Sequence, residues 1–434
     1  MMKKYSNSSS TQEPLQHRGS PNQLSGREKR SFYPWLVVGL LWIVALLNYM
    51  DRQMLSTMKD AMSIDIEELR SATSFGYLMA AFMWIYGLAS PLAGLVADRL
   101  SRKWLIVGSL FVWSLVTLLM GFTHNFSTLY ALRAIMGVSE ALYMPAALAL
   151  IADFHTGRSR SLAIGIHMTG LYVGQALGGF GASLSQMFTW HDTFFYFGLA
   201  GSVYAVLLAF LLREAPTREA EQTVQKDATS PLRSFLEIFR TPAFWVILLF
   251  FTATSLPGWA TKNWLPTLFA TNLDIEMTDA GPWATITITL ASFVGVFLGG
   301  AMSDRWVRTQ LKGRVYTSAI GLMLMAPALM LLGFGHSFVT VAGGAIIFGL
   351  GLGLFDTNNM PIVCQFFPGR LRSTVYGLMN MSGVLAGAYI TQLLGKSMDG
   401  NNLGESFAYL AFGIIVVAII QLVGLRPKTD NKQD

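Results

Sequence analysis

Ionisable residues are scarce in this chain of 434 residues: Asp, Glu, Lys and Arg make up 13% of it, against about 25% in an ordinary soluble domain. With 53% of positions hydrophobic, the chain is expected to lie in lipid. Cysteine is nearly missing. Cys364 stands alone inside an apolar run, so neither an intrachain disulfide nor redox chemistry is expected. No GxxxxGK(S/T) loop is present to cradle nucleotide phosphates, which argues against ATP-driven work. No HExxH spacing pairs histidines for a metal, and no GxSxG marks a nucleophile at a strand-to-helix turn. The expectation is a protein that uses no metal or cofactor and is not an enzyme. The net charge of +6 calls for no nucleic acid, because its placement along the chain accounts for it.

Long apolar sequence is what the chain has in plenty. Residues 1–31 are rich in Ser, Gln and charge and read as a disordered tail, without the apolar region or cleavage site of a secretory signal. A membrane-spanning helix needs about 20 apolar residues. Twelve such spans follow, at 33–57, 73–97, 104–122, 127–152, 161–187, 193–212, 242–270, 282–303, 315–334, 338–366, 373–395 and 406–425. The polar linker 214–241 divides the chain into 32–213 and 242–426, and 427–434 forms a second tail. The expected fold class is an all-α membrane protein built as two six-helix bundles.

The loops set the orientation. One set carries Arg99, Arg102 and Lys103, then Arg158 and Arg160, then Arg305, Arg308, Lys312 and Arg314, and finally Arg370 and Arg372. The opposite set has only Lys59, Arg70 and Lys396 beside acidic clusters. Basic loops stay on the cytoplasmic side, so a cell (inner) membrane with both termini cytoplasmic is expected.

Six ionised residues break the apolar pattern inside the spans: Asp51, Arg52, Arg133, Glu140, Lys262 and Asp356. A charge at hydrocarbon depth costs at least ~2.5–3.5 kcal/mol on insertion scales, so such groups usually face a bundle interior or a watery cavity. Arg133 and Glu140, seven apart, share one helix face, with Glu140 ~10 Å deeper. A guanidinium presents a planar fork to a carboxylate, and a carboxylic acid at mid-membrane suits loading and release of a proton. Each group also has a plainer reading. Asp51 and Arg133 suit a structural ion pair, Glu140 a static hydrogen bond, and Arg52 and Lys262 snorkelling to the interface. Asp356, with Asn358 and Asn359, suits the cavity or an inner gate, the cavity being favoured. His167, Tyr172 and Gln175 suit helix–helix hydrogen bonds, and Trp259 and Trp264 the aromatic belt or a sugar ring, with the belt favoured.

The halves repeat each other. GLVADRLSRK at 94–103 returns as GAMSDRWVR at 300–308, and GRSRSLAIG at 157–165 returns as GRLRSTVYG at 369–377. Two such bundles with a site between them near mid-membrane suit alternating access. GLVADRLSRK resembles the signature loop of the major facilitator superfamily, and the resemblance extends from about residue 33 to 426. It implies a cytoplasmic gate of Asp98, Arg99, Arg102, Asp304 and Arg305, with Asp98 touching the opposite bundle and Arg99 and Arg102 facing water.

Two segments resemble a narrower group. LLNYMDRQMLS at 46–56 is similar to the first-helix pattern NYxDRxxLS of the anion:cation symporter family, whose members include hexuronate, aldonate and sialic acid transporters. RAIMGVSEALYMP at 133–145 resembles that family's fourth-helix pattern, and Tyr86 and Asn380 match its second and eleventh helices. The resemblance implies a proton-coupled symporter of a small organic anion, such as a hexuronate or related sugar acid, acting as a monomer. Arg52 would hold the substrate carboxylate, with Tyr49, Tyr86 and Asn380 around the sugar-like body. Asp51, Glu140 and Arg133 would form the proton-coupling group, and Lys262, Gln175 and Asn359 are further candidate ligands. Ser90 stands where the family often has Gln, and GWATKNWLPTLF, with Lys262, departs from its pattern. NYMDR, Glu140 and RSRSLAI also resemble the Spinster group of lipid and lysolipid carriers. A third alternative is a sensor that binds a sugar derivative without moving it.

Overall fold

The computed structural model describes residues 32–155, 158–214 and 231–427, and no strand occurs among them. The first half contains α1 (Tyr33–Leu55), a short α2 (Lys59–Asp65), a 3-10 turn (Glu67–Arg70), α3 (Ala72–Arg99), α4 (Arg102–Met120), α5 (Phe126–Phe154), α6 (Arg158–Gly178), α7 (Gly181–Met187) and α8 (Trp190–Leu211). Helix α9 (Pro231–Arg240) occupies the end of the expected linker, whose residues 215–230 lie outside those described, as do the expected tail 1–31 and all of the expected tail 427–434 but its first residue. The second half contains α10 (Pro242–Leu273), α11 (Met277–Trp306), α12 (Gly313–Phe334), α13 (Phe338–Asp356), α14 (Asn359–Phe366), α15 (Gly369–Asp399) and α16 (Leu403–Gly424).

Lipid offers the backbone no hydrogen bonds, so the chain must close its own within helices and finish their ends with side chains. Ser101, Asn125 and Thr189 accept from backbone N–H groups at the starts of α4, α5 and α8, and Ser337 and Thr340 cap α13 reciprocally. Pro266 inside α10 has no N–H to give the carbonyl four residues back, that of Lys262. That carbonyl is not wasted: Gln53 of the other half donates its Nε2 to it at 2.9 Å.

Among the described residues, ten helices are long and apolar enough to cross a membrane. The two expected spans that fall short are the fifth of each half. The first of these is broken after Gly178 into α6 and α7, and the other is α15, a single helix of 31 residues with many polar positions. Their polarity has a reason in the packing. α15 lies along α3 and α6 lies along α11, forming the two seams between the halves, so neither helix needs an apolar surface all round. Within each half the pairings repeat: α1 with α6, α3 with α5 and α4 with α8, answered by α10 with α15, α11 with α13 and α12 with α16.

The seams are tightest at the end that carries the α1–α3 connection. A Cβ built on Gly281 would sit 2.3 Å from the Gly179 carbonyl oxygen, an approach that only glycine permits. Nearby, Thr285 donates to the Ala176 carbonyl at 3.1 Å and Ser183 to that of Thr278 at 3.3 Å. Asp399, the last residue of α15, caps α3 from the other half. Its carboxylate accepts from Ser71 Oγ at 2.7 Å and from the backbone N–H of Ala72 at 2.8 Å and of Thr73 at 2.9 Å. The two N–H groups are orphan donors of a helix start, where a negative charge also meets the positive pole of the helix.

Candidate functional site

Between the halves lies a cavity of about 740 Å³. It ends under the sealed end, at Arg52 and Lys262, and extends the other way to Ser161 and Leu162 in the first turn of α6. Cross-half hydrogen bonds between described residues all lie on the sealed side of it.

The first half supplies Arg52, near the end of α1. Its Nε and Nη2 both contact Oε2 of Glu140 at 2.5 Å. Its guanidinium carbon lies 5.2 Å from the ring centre of Tyr49, 4.6 Å from Phe82 and 4.9 Å from Tyr86. Three-residue spacing on α1 and four-residue spacing on α3 bring each pair onto one face, and the rings enclose the cation. A desolvated cation over a ring gains roughly 2 kcal/mol. The Glu140 side chain is fully buried while Arg52 keeps 12% of its side chain exposed, and only Arg52 lines the cavity. Glu140 Oε1 has no hydrogen-bond partner. Arg52, expected to hold a substrate carboxylate, is thus engaged through two of its nitrogens with a single carboxylate oxygen of the protein itself.

Asp51 and Arg133 are buried behind this pair and do not line the cavity. Thr117 donates to Asp51 Oδ2 at 2.7 Å, and Asp51 Oδ1 has no partner. Arg133 places its guanidinium 5.1 Å from the Phe82 ring centre and its Nη1 3.2 Å from Met136 Sδ. The alternative of an Asp51–Arg133 ion pair is not realised among the described residues, because Arg133 turns towards α3 instead.

The second half supplies Lys262, Asp356, Asn359 and Asn380 to the cavity wall. Lys262 Nζ sits 4.8 Å from the Trp259 ring centre. Asp356 closes α13, where the expected tenth span breaks at Thr357 and Asn358 before α14 resumes it. Asn359 Nδ2 donates to Asp356 Oδ1 at 3.3 Å, while its own buried Oδ1 is unpaired.

Several expectations need correction. Gln175 is not among the residues that line the cavity, whereas Tyr172, three residues earlier on α6, is. Trp259 and Trp264 are not in an interfacial belt: Trp259 lines the cavity, and Trp264 is fully buried and donates Nε1 to the Thr391 carbonyl at 3.0 Å. Arg102 does not simply face water, for it pairs with Asp153 and donates to the Ala149 carbonyl at 3.1 Å, both within its own half. In the repeat, Asp304 lies 3.8 Å from Arg314, and Arg305 is exposed. The side chains of Asp98 and Arg99 lie outside those described. Phe82 and Tyr376 were not anticipated. Phe82 had a signal, since it stands one turn before Tyr86; Tyr376 had none.

Comparison with known proteins agrees with this architecture. The D-galactonate transporter of Escherichia coli O6:H1 is 26% identical over 420 residues, covering 90% of this chain and 95% of that protein. The probable galactarate/D-glucarate transporter of Bacillus subtilis is 25% identical over 409 residues, 85% of this chain and 88% of that protein. Among solved structures, a bacterial homolog of the human lysosomal transporter Spinster, in an inward-facing and occupied conformation, superposes with a TM-score of 0.74 at 19% identity, over 90% of this chain and 97% of that one. The profile of the Major Facilitator Superfamily matches residues 41–391, and on that match this multi-pass membrane protein belongs to the Major Facilitator Superfamily, whose relatives named here are transporters rather than enzymes.

Proposed function

We propose that this transporter carries a small organic anion of the sugar-acid class together with protons, by alternating access between its two bundles. The observation that carries the reading is the position of Arg52. It faces the cavity, its counter-ion Glu140 is buried behind it, and three aromatic rings hold the guanidinium in place. An incoming carboxylate competes with Glu140 for the same fork, and a proton on Glu140 releases the fork to the substrate. Asp51 and Arg133 hold the rear of this coupling group. Lys262 of the other bundle lies close enough to interact electrostatically with Arg52, so an anion between the two cations draws the bundles together. Tyr49, Tyr86, Asn359 and Asn380 offer hydrogen bonds to substrate hydroxyls.

With the GLVADRLSRK end in the cytoplasm, the sealed end is extracellular and the structure is inward-facing, in a cell (inner) membrane with both termini cytoplasmic. Arg102 with Asp153 and Asp304 with Arg314 brace the loops at the open end, and Asp98, Arg99 and Arg305 complete the gate that must form there when the cavity turns outward.

The test is uptake of labelled galactonate, glucuronate or galacturonate into liposomes containing the purified protein, under an imposed pH gradient. Accumulation that follows the gradient is expected, and uptake indifferent to it removes the symport. The apolar wall of the cavity's open half, with Leu162, Ile166, Phe293 and Phe297, favours a lysolipid carrier as the second reading. Thermal stabilisation by lysolipid without any response to sugar acids would establish that one.

A further inference from the structure

Six ionised groups sit inside the membrane spans, but only three of them, Arg52, Lys262 and Asp356, line the cavity. Asp356 is therefore the one carboxylate of the six that lines the cavity, and it is exposed there. Its surroundings are specific. Lys262 from α10 is the cation that interacts with it, at a separation beyond ion-pair contact, and Asn359 from α14 is its hydrogen-bond donor. Tyr49 from α1, Tyr172 from α6 and Tyr376 from α15 are near enough to feel its charge. Helices α11 and α12 pack against α13 but bring no charged group to Asp356 among the described residues.

We infer that Asp356 is a second proton acceptor of the symport, taking a proton from the open cavity when the anion engages Lys262. The inference rests on the symport reading above. In the empty cavity Lys262 offsets Asp356 as Arg52 offsets Glu140, and the three cations and three carboxylates of the spans sum to zero. A substrate carboxylate at Lys262 takes away the one cation near Asp356 and adds a like charge beside it. Two carboxylates sharing a site do not both stay ionised. Glu140 is sealed behind Arg52, whereas Asp356 lines the open cavity and takes its proton directly from it.

The experiment measures protons taken up per substrate bound, with a pH-indicator dye and the purified protein in nanodiscs, using galactonate as the probe. Asp356→Asn copies the shape of the protonated acid but cannot titrate, so the ratio falls by one proton. In liposomes the equilibrium accumulation across a gradient of one pH unit falls about tenfold for each proton lost. Lys262→Gln uncouples the same group and lowers the ratio too. An unchanged ratio in Asp356→Asn overturns the inference and makes Asp356 an acceptor for substrate hydroxyls. A folded Asp356→Asn protein that binds no substrate also overturns it, because a protonated acid is then not what the bound state contains. Should that variant not fold, Asp356→Ser, equally unable to titrate, reads the same ratio. A wild-type protein that takes up no protons on binding instead removes the symport reading itself.

Discussion

The two halves of the chain each bring a cation to the cavity with a carboxylate near it, and they hold these pairs in different ways. In the first half Arg52 and Glu140 touch at 2.5 Å, with the acid fully buried. In the second, Lys262 and Asp356 interact only at a distance, and both line the cavity. A contact pair whose acid is fully buried is stiff and is felt in folding as well as in coupling. A separated pair lining an open cavity is soft and is felt in binding. A repeated fold thus carries the same pairing of charges twice, once in contact and once apart.

Breaking the stiff pair should have the largest effect. Arg52→Ala abolishes uptake and leaves a buried carboxylate without its partner, which destabilises by ~3–5 kcal/mol. The double variant Arg52→Ala with Glu140→Gln regains most of that stability, read as a melting temperature, but not the uptake. Glu140→Gln alone keeps exchange of labelled substrate and loses pH-driven accumulation. The soft pair responds differently. Lys262→Gln weakens substrate binding about tenfold, equal to ~1.4 kcal/mol, with a melting temperature close to the wild type. If Lys262→Gln unfolds the protein as readily as Arg52→Ala, the contrast between the halves is wrong.

Smaller effects are expected at the seal. Partial burial pushes the Asp399 carboxyl up, but the hydrogen bonds from Thr73, Ser71 and Ala72 outweigh it and hold it at about 2, below its ordinary 3.8. A lowered value means that the ionised cap is in place above the ordinary value and is lost only as pH falls through about 2. The seal should therefore be indifferent to pH from neutrality down to about 4. Asp399→Ala should raise the labelling rate of a cysteine introduced on the sealed side of the cavity, and a rate equal to that of the wild type would show that the glycine contacts close this end by themselves.

Much of the architecture was legible from composition and repeat, because lipid allows so few backbone solutions. The two broken spans were not. The fifth expected span runs straight through Gly178 and Gly179, and the Asp356-Thr357-Asn358-Asn359 cluster with Pro361 beyond it, a turn signal, reads first as cavity polarity inside one long apolar run. The cavity residues Arg52, Tyr49, Tyr86, Lys262, Asn359 and Asn380 could be chosen by charge and resemblance, since each is polar where lipid forbids it. The partner of Arg52 could not, because it depends on how α1 and α5 are rotated about their axes. Trp259 shows the same limit: an aromatic near the end of an apolar run looks interfacial until the depth of the helix is known.

The polar character of α6 and α15 bears on how the chain enters the bilayer. A segment leaving the translocon partitions into lipid according to its own side chains, and these two are the least suited to do so alone. α6 emerges after α1, its packing partner, is already in place, and α15 emerges after both α3 and α10. The order of synthesis thus supplies each reluctant helix with a neighbour to shelter its polar face, and a variant that weakens that neighbour should show its defect during biogenesis before any defect in turnover.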